Sequence, residues 1–433
     1  MLRIGLVCPE LHGHLNPLTS LGCELRRRGH QVGLFGGVLA CKLAWRHQLD
    51  FTPLGEKDEL AAKLERCWAD LGAMKGFSSM RQTGKGLNLS ARMLLRDLPS
   101  ALDAYPVDGL ILDQLSPAAL PAAEARSLPF VIACNALALH YGPSVPPPPL
   151  PWTYRDGPLG RIRNRLAWHT LVPLYDLLAG SKSVGVKPQQ LVFNVNPGLA
   201  RISQQPAFFE FPYQAHPEHF HFTAPWHSEG RDADIEFPWD RLDDRPLIYA
   251  SMGSLQNNQR RVFANIARAM QGMPVQVVLS RGGAAQEIDL RAPDNVMVVS
   301  NAPQLRLLDR AALAITHAGL NTAMECIARA VPMVCLPVTN DQPGVAKRVE
   351  WLGCGEVLSV ARASARRIRR LVDRVLGDDG FAKRAKEIRN QLPERSGVEL
   401  AADIVEEAFR TGRRVLSPVA NPSPGRPEAN ESM

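Results

Sequence analysis

Short apolar runs alternate with helical segments along this chain, and that alternation limits its fold more than any other feature. An apolar run at 2–8 is followed by a segment with helical spacing of leucines, and a second apolar run follows at 31–35. Asn16 is the expected N-cap of this helix, with Pro17 in its first turn. The order predicts a β-α-β unit, and such units build parallel sheets.

The alternation occurs in two blocks. The first block also contains apolar strand candidates at 107–113 and 130–134. Between the blocks, His, Pro, Trp and acidic residues interrupt the periodicity over 216–245. The strand candidates of the second block are 247–251, 275–279, 296–299, 313–316 and 331–336. Because 433 residues exceed what one hydrophobic core usually supports, two domains are expected.

We therefore predict an α/β fold of two doubly wound, Rossmann-like domains that face each other across a cleft. The N-terminal domain is expected at 1–215, the linker at 216–245 and the C-terminal domain at 246–412. A Pro/Ser/Asn-rich tail at 413–433 is expected to be disordered. Sheets of this kind bind ligands at the carboxyl ends of their strands, so the cleft is the expected site.

The composition excludes several classes of protein. With 45% hydrophobic and 21% charged residues, the chain is neither disordered nor collagen-like. A net charge of +7 is too small for this length to indicate a nucleic-acid partner. The eight cysteines form no C-x-x-C pair, which is typical of buried thiols in a reducing compartment. The first apolar run is too short for a signal peptide, so we expect a cytoplasmic protein.

Two common nucleotide-binding motifs are missing. No G-x-G-x-x-G follows the first strand, and the pair at 84–85 lacks the upstream glycine of a P-loop. We expect no resident cofactor. A nucleotide, if one binds, must be held by other groups.

The segment from 301 to 342 carries the clearest chemical signal. A strand is expected to end near Thr316, and a glycine turn then leads into a helix that starts around Asn321. The free N–H groups and positive dipole of a helix N-terminus form an anion site, where His317 and Thr322 add donors. Glu325, one turn further on, is placed to accept from ribose hydroxyls. Thr322 and Glu325 also have the spacing of an ordinary capping box, and this alternative stays open.

This segment resembles the donor-binding signature of family-1 glycosyltransferases, which have the GT-B fold and use UDP-sugars. The resemblance implies that the nucleoside and its ribose contact Gln304 and Glu325, and that the diphosphate lies against the helix that begins near Asn321. The implied donor-binding residues are Gly253, Ser254, Ala302, Gln304, His317, Gly319, Asn321, Thr322, Glu325, Asp341 and Gln342, of which the last two bind sugar hydroxyls.

Two departures concern the base of the nucleotide. Asn301 and Leu320 stand where plant members of the family have tryptophans, the first of which stacks on uracil. The spacing from Gln304 to His317 is two residues shorter than in plant members and resembles bacterial ones. UDP is the expected nucleotide, with dTDP as the alternative.

The loop after the first strand resembles the family's G-H-x-x-P loop, whose histidine is the general base. The match places the base at His14, and Asp113 matches the aspartate that orients it. A neutral imidazole accepts a hydroxyl proton at neutral pH, and a carboxylate stabilises the imidazolium that forms. His12 is the alternative base.

The resemblance implies an inverting, metal-independent transfer of a hexose, with glucose favoured, from a UDP-sugar to a hydroxyl. The acceptor side is predicted to include Asn135, Leu137, Leu139 and Trp152, in a stretch with few charges, so an apolar acceptor is expected. Several stretches resemble the bacterial carotenoid (zeaxanthin) glucosyltransferase branch. Flavonoids or other phenolics, macrolides and lipids are the other acceptor classes.

Three alternatives remain open on the sequence. The segment at 161–168 mixes arginines with Leu and Trp at helical spacing, and it is either a lipid-contacting helix or a solvated helix of its own domain. The arginine run at 362–370 has no interleaved aromatics, which favours a solvated helix over a nucleic-acid site. A catalytically silent partner protein and a UDP-sugar epimerase are the rival functions.

Overall fold

Two parallel β-sheets form the framework of the protein. The computed structural model describes residues 1–55, 58–179, 198–212, 216–227, 229–232, 234–255, 258–283 and 292–417. Within them, each sheet carries strands connected through helices, as the β-α-β pattern predicts. The predicted pair of doubly wound domains is confirmed.

The first sheet has seven parallel strands in the order β3-β2-β1-β4-β5-β6-β7. Its strands are β1 (Arg3–Val7), β2 (Gln31–Gly36), β3 (Asp50–Pro53), β4 (Gly109–Asp113), β5 (Phe130–Cys134), β6 (Arg201–Ser203) and β7 (Phe220–Phe222). Its helices are α1 (His12–Arg27), α2 (Val38–His47), α3 (Glu59–Ala69), α4 (Gly76–Ala104), α5 (Leu120–Ala125) and α6 (Pro158–Ala179).

The second sheet has six parallel strands in the order β10-β9-β8-β11-β12-β13. Its strands are β8 (Leu247–Ser251), β9 (Gln276–Ser280), β10 (Val296–Val299), β11 (Ala311–Thr316), β12 (Met333–Cys335) and β13 (Gly355–Val357). The helices that follow its first strand are α7 (Arg260–Met270), α8 (Gln304–Leu308), α9 (Leu320–Ala328), α10 (Gln342–Trp351), α11 (Ala365–Gly377), α12 (Asp379–Arg389) and α13 (Gly397–Thr411).

The central strands are buried along their whole length. All five residues of β4, β5, β8 and β9 are buried, which explains why these strands are continuous apolar runs in the sequence. Strand order reverses between β1 and β4 in the first sheet and between β8 and β11 in the second. The loops that leave these four strands therefore meet at the two switch points, where parallel sheets bind ligands.

The first helix begins one turn earlier than predicted. Its N-cap is Leu11, whose carbonyl accepts from the N–H groups of His14 and Leu15, so Asn16 lies inside the helix. His14 consequently stands in the first helical turn. Pro17 is the sixth helical residue instead of lying in the first turn.

Two segments lie differently from the predicted domain boundaries. Strand β7, inside the predicted linker, pairs with β6 and completes the first sheet. Helix α13, inside the predicted C-terminal domain, buries its apolar face in the core of the N-terminal half, where Arg28 pairs with Asp403 and Glu406 at 2.7 Å each.

Of the predicted tail at 413–433, the structure describes residues 413–417. There, Val415 N donates to Leu199 O at 2.9 Å and Ser417 N to Glu218 O at 2.7 Å, so the chain stays bound to the N-terminal half. The rest of the predicted tail, 418–433, lies outside the described residues. In the part of the chain that the structure describes, no helix is both long and apolar enough to cross a bilayer.

Candidate active site

His14 and Asp113 form a hydrogen-bonded pair at the switch point of the first sheet. Their strands β1 and β4 are neighbours, with Val7 opposite Leu112, so the residues that follow both strands meet. His14 Nδ1 lies 2.8 Å from Asp113 Oδ2. The aspartate is 1% exposed and also accepts from Asn135 Nδ2 at 2.7 Å and from Leu115 N at 2.7 Å. With Nδ1 engaged, Nε2 is the nitrogen left for an acceptor hydroxyl.

The electrostatic environment suits a general base. Burial lowers the pKa of His14, but the adjacent Asp113 carboxylate, with a smaller contribution from Asp341, outweighs it and the pKa is raised from its ordinary value. His12, the alternative base, has the opposite shift. Burial and the nearby Arg46 and Lys42 lower its pKa, and Asp113 bonds to His14 instead.

His317 is held between two glycines at the switch point of the second sheet. It follows β11, and Gly253 follows the neighbouring β8. A Cβ on Gly253 would lie 2.5 Å from His317 Cε1, and one on Gly319 would lie 2.5 Å from His317 Nε2. Gly253 also has φ +77°, which favours glycine. Both predicted glycines are therefore required by the position of the imidazole.

His317 has an open hydrogen-bonding position. Its Nδ1 is buried and has no hydrogen-bond partner, and burial lowers its pKa to about 4, so the ring is neutral at pH 7. A buried polar atom without a partner is uncommon in native structures and calls for an explanation such as a ligand. An anionic oxygen placed against this ring would supply the missing partner.

The N-terminus of α9 lies beside His317 and is not capped by a side chain. Its N-cap is Gly319, which has no side chain to accept from the first N–H groups. Thr322 and Glu325 therefore do not form the capping box that their spacing allowed. Instead, Thr322 Oγ1 accepts from Gln304 Nε2 at 3.3 Å. Uncapped backbone N–H groups at a helix end are suited to bind an anion.

Asn321, in the first turn of α9, reaches across the cleft. Its Nδ2 donates to Gly13 O at 2.9 Å, and its Oδ1 accepts from Gln204 Nε2 at 2.7 Å. The amide thus joins the second half of the molecule to the residue before His14. Sequence reasoning assigned Asn321 to the diphosphate and gave no sign of this bridge.

The predicted nucleoside residues form one buried network. Gln304 Nε2 donates to Glu325 Oε2, and Tyr249 OH donates to Gln304 Oε1 at 2.9 Å. Arg231 Nη1 donates to Glu325 Oε1 at 2.6 Å. Burial alone would raise the pKa of Glu325, but its pairing with Arg231 and the bond from Gln304 lower it, so the carboxylate is charged.

Arg231 is a site residue that sequence reasoning missed. It lies in a short helical turn, Glu229–Asp232, of the irregular segment between the two sheets, where periodicity gives no signal. The turn is anchored to α8, because Asp232 Oδ2 accepts from Leu305 N at 2.7 Å. The side chains of Arg231 and Asp232 both line the cleft.

The two residues expected to bind sugar hydroxyls lie where α10 begins. Asp341 Oδ2 accepts from Leu137 N at 3.2 Å, across the cleft, and burial raises the pKa of this carboxyl. Gln342 Oε1 accepts from Val338 N at 2.9 Å and Thr339 N at 3.1 Å, which fixes the turn before the helix. Both residues line the cleft, and Asp341 is close enough to His14 to contribute to its raised pKa.

One continuous cavity of about 1060 Å³ contains these groups. All eleven predicted donor-binding residues and His14 line it, as do Asn135, Leu137 and Leu139 on the acceptor side. Trp152 lies outside its lining. The indole instead packs against the Arg163 guanidinium, 4.7 Å from the ring centroid.

The acceptor end of the cavity is apolar and is built largely by helices that sequence reasoning did not assign to the site. They contribute side chains from α2, α3, α4 and α6, namely Leu39, Leu43, Trp68, Met80, Leu87, Trp168, Leu171 and Val172. These residues looked like ordinary core positions, since periodicity does not distinguish a packed core from a cavity wall.

Comparison with known proteins agrees with this geometry. A family model described as "UDP-glucoronosyl and UDP-glucosyl transferase" matches residues 189–390. Zeaxanthin glucosyltransferase of Pantoea ananas is 31% identical over 428 residues, which cover 96% of this chain and 98% of that protein. The enzyme of the same name from Pseudescherichia vulneris is 28% identical, with coverages of 94% and 98%.

A solved structure shows the same fold. The calicheamicin glycosyltransferase CalG4 matches with a TM-score of 0.68 at 21% identity, over 95% of this chain and 98% of that one. At this identity the likeness concerns the fold, which is GT-B. Full-length similarity to named glucosyltransferases, the family model and the paired sheets agree, and the chain therefore belongs to the UDP-glycosyltransferase family and is a glycosyltransferase.

Proposed function

We propose that this enzyme transfers glucose from UDP-glucose, with inversion, to a hydroxyl of an apolar acceptor. The observation that carries the proposal is the cavity that brings three features together: the His14–Asp113 pair, the open N-terminus of α9 and an apolar far end. Each feature serves one part of such a reaction, namely the base, the leaving group and the acceptor.

The reaction is a single displacement at the anomeric carbon. His14 Nε2 takes the proton of the acceptor hydroxyl as its oxygen bonds to the anomeric carbon, and the bond from that carbon to the β-phosphate oxygen breaks. Asp113 stabilises the imidazolium. General-base catalysis of this kind contributes roughly 10²–10⁴-fold. Attack opposite to the leaving diphosphate inverts the anomeric configuration.

The departing diphosphate is stabilised by groups of this chain. The free N–H groups of α9 and the His317 ring are fixed before the reaction, and such preorganised donors stabilise developing charge without reorganisation. We propose on this basis that transfer needs neither a metal ion nor a cofactor. Among the described residues, no group of three or more His, Cys, Asp or Glu side chains is arranged to hold a metal ion.

The proposed acceptor class is a carotenoid. The apolar wall built by Trp68, Leu87, Trp168 and Leu171 suits an extended hydrocarbon, and two relatives matched over 98% of their length are named zeaxanthin glucosyltransferases. Phenolics, macrolides and other lipids with a free hydroxyl are the competing acceptors. The free buried thiols favour a reducing compartment, and we propose a cytoplasmic location.

The test is an assay of the purified chain with UDP-glucose, other UDP-sugars and dTDP-glucose against hydroxylated carotenoids, phenolics and macrolides. The proposal predicts a β-configured carotenoid glucoside and UDP, with turnover unchanged by EDTA. A retained α-configuration or loss of turnover in EDTA contradicts the mechanism. Free epimerised sugar nucleotide without any glycoside would establish the epimerase instead.

We further propose that the outer face of α6 contacts an anionic lipid surface, from which an apolar acceptor enters. Leu159, Ile162 and Leu166 repeat at helical spacing and are 84%, 56% and 63% exposed. Arg161 and Arg165 of the same helix are also exposed. The opposite face of α6 presents Trp168, Leu171 and Val172 to the acceptor cavity, so one helix separates the cavity from this surface.

Vesicle binding tests this contact. The chain is expected to sediment with vesicles of phosphatidylglycerol and phosphatidylcholine at low salt and much less with phosphatidylcholine alone. Ile162→Ser/Leu166→Ser should abolish sedimentation. The control variant is Arg366→Gln/Arg370→Gln on α11. This helix exposes its arginines but buries its apolar residues Ile368, Val372 and Val375. The control variant should sediment like the native chain. Unchanged binding of the α6 variant, or no binding of the native chain, contradicts the proposal.

A further inference from the structure

Gln204 joins the two halves of the molecule through a single side-chain nitrogen. It follows β6 directly and is 1% exposed. Its Nε2 donates to Asn135 O at 2.7 Å in the first half and to Asn321 Oδ1 at 2.7 Å in the second. An amide –NH₂ has two hydrogens, and each is used once.

The two acceptors of Gln204 lead back to the same histidine. Through Asn135, whose Nδ2 donates to Asp113 Oδ2, the path reaches the ring of His14. Through Asn321, whose Nδ2 donates to Gly13 O, it reaches the backbone next to His14. The hydrogen bonds and the chain thus form a closed ring that contains the general base and the first turn of α9.

This ring fixes a distance on which the reaction depends. The acceptor oxygen must lie close to His14 Nε2 and, at the same moment, in line with the anomeric carbon whose diphosphate lies against α9. These two groups belong to different halves of the molecule. A misplacement of about 1 Å between reacting groups can cost about 10²-fold in rate.

We propose that Gln204 is a positioning residue for glycosyl transfer, which holds the His14–Asp113 pair in register with the N-terminus of α9. Gln204 is absent from the lining of the cavity, so we expect it to contact neither substrate. The inference rests on the proposed function, since it assigns His14 as the base and α9 as the diphosphate site.

The experiment uses Gln204→Met, which keeps the length of the side chain and removes both donors. Its kcat is expected to fall about 10- to 100-fold, while the Kd of UDP and the KM of the UDP-sugar stay within about threefold, because the donor site itself is intact. Gln204→Glu, with nearly the same shape, should give the same split between kcat and KM if the methionine variant folds poorly.

The neighbouring Gln205 supplies a matched control. It is equally buried, but its Nε2 donates to Glu210 Oε2 at 3.2 Å, away from the ring. Gln205→Met should lower the thermal midpoint and leave kcat unchanged. A double-mutant cycle of Gln204→Met with Asn321→Ala should be strongly non-additive in kcat/KM, because both changes break the same bond.

Three results would overturn the assignment while the proposed function stands: an unchanged kcat of Gln204→Met, an equal fall for Gln205→Met, or additive effects in the cycle. If the native enzyme transfers sugar from no UDP-sugar, the proposed function fails, and that outcome is seen before any variant is made. The two failures are therefore distinguishable.

Discussion

The side-chain amide of Asn321 donates to the carbonyl oxygen of Gly13, 2.9 Å away and 308 positions earlier in the chain. Inside a helix this carbonyl would accept from the N–H group four residues later, which here belongs to Pro17. Proline has no N–H, so the carbonyl is left for a partner outside the helix. The proline thus provides an acceptor for the opposite half of the molecule, directly beside His14, the proposed general base.

Pro17→Ala should separate stability from activity. Alanine supplies the missing N–H and removes the proline from a helix interior, so the free energy of unfolding is expected to rise by up to about 3 kcal/mol. The restored helical bond competes with Asn321 for Gly13 O, and kcat should fall several-fold. Urea denaturation and initial rates measure the two effects.

Pro99, inside α4 and outside the cavity lining, is the control for that variant. Pro99→Ala should leave kcat unchanged, whatever it does to stability. An unaltered kcat in Pro17→Ala would mean that the bond from Asn321 to Gly13 has no part in the reaction.

Asp113→Asn should shift the pH dependence of the reaction. In the proposed mechanism His14 acts as a base when neutral, so kcat/KM is expected to fall as the pH drops through its pKa. Burial lowers that pKa and the Asp113 carboxylate raises it. Removing the carboxylate should therefore move the acid limb of the kcat/KM–pH profile to lower pH. The maximum rate should also fall by at least about 10²-fold, because the imidazolium loses its counter-charge. An acid limb that stays in place would identify another group as the base.

Arg231→Met should destabilise the protein more than an ordinary substitution in the linker. It leaves the Glu325 carboxylate, which is 2% exposed, without its cation, and breaking a buried ion pair from one side costs about 3–5 kcal/mol. Arg231→Met/Glu325→Gln removes both charges and should recover most of the loss. Chemical denaturation of the three proteins is the measurement, and equal stability of the single and double variants would contradict it.

Glu325→Gln tests the nucleoside site through ligand affinity, which is measured on the folded protein although the variant also loses the ion pair with Arg231. If Glu325 accepts from the ribose hydroxyls, UDP binding should weaken by roughly 1.5–3 kcal/mol, the size of a hydrogen bond to a charged group. Calorimetric titration with UDP measures this. Native affinity in the variant would leave the carboxylate with a structural role as the partner of Arg231.

His317 should make the free protein sensitive to acid. Its pKa in the folded state is about 4, below the ordinary value of 6.5, so it contributes nothing above pH 6.5. As the pH falls from 6.5 to 4, the unfolded chain takes up a proton that the folded chain does not, and stability is lost. His317→Gln should make this decline in stability less steep. The effect is partial, because His216 and His219, with pKa values of about 3 and about 4, contribute to the same decline. An identical decline in the variant would refute the assignment.

The sequence by itself determined the framework of the site. Buried parallel strands are apolar on both faces, so β4, β5, β8 and β11 stand out as continuous runs, and the residues that follow them must meet at a switch point. Short strands left a weaker signal. Strands β3, β6, β7 and β13 are as short as β10 and β12, but each also contains a charged or polar side chain that interrupts the apolar run.

Tertiary structure decided the partners of the polar groups. The bonds of Arg231 to Glu325, of Gln204 to Asn321 and of Asn321 to Gly13 each join segments 94 or more residues apart. Local spacing carries no information about them, because they depend on how the two halves meet. Trp152 shows the same limit, since its place in the sequence does not reveal that its indole packs against Arg163 outside the cavity lining. The sequence determines which chemical group stands at each position, and tertiary packing determines the distances between the groups that act together.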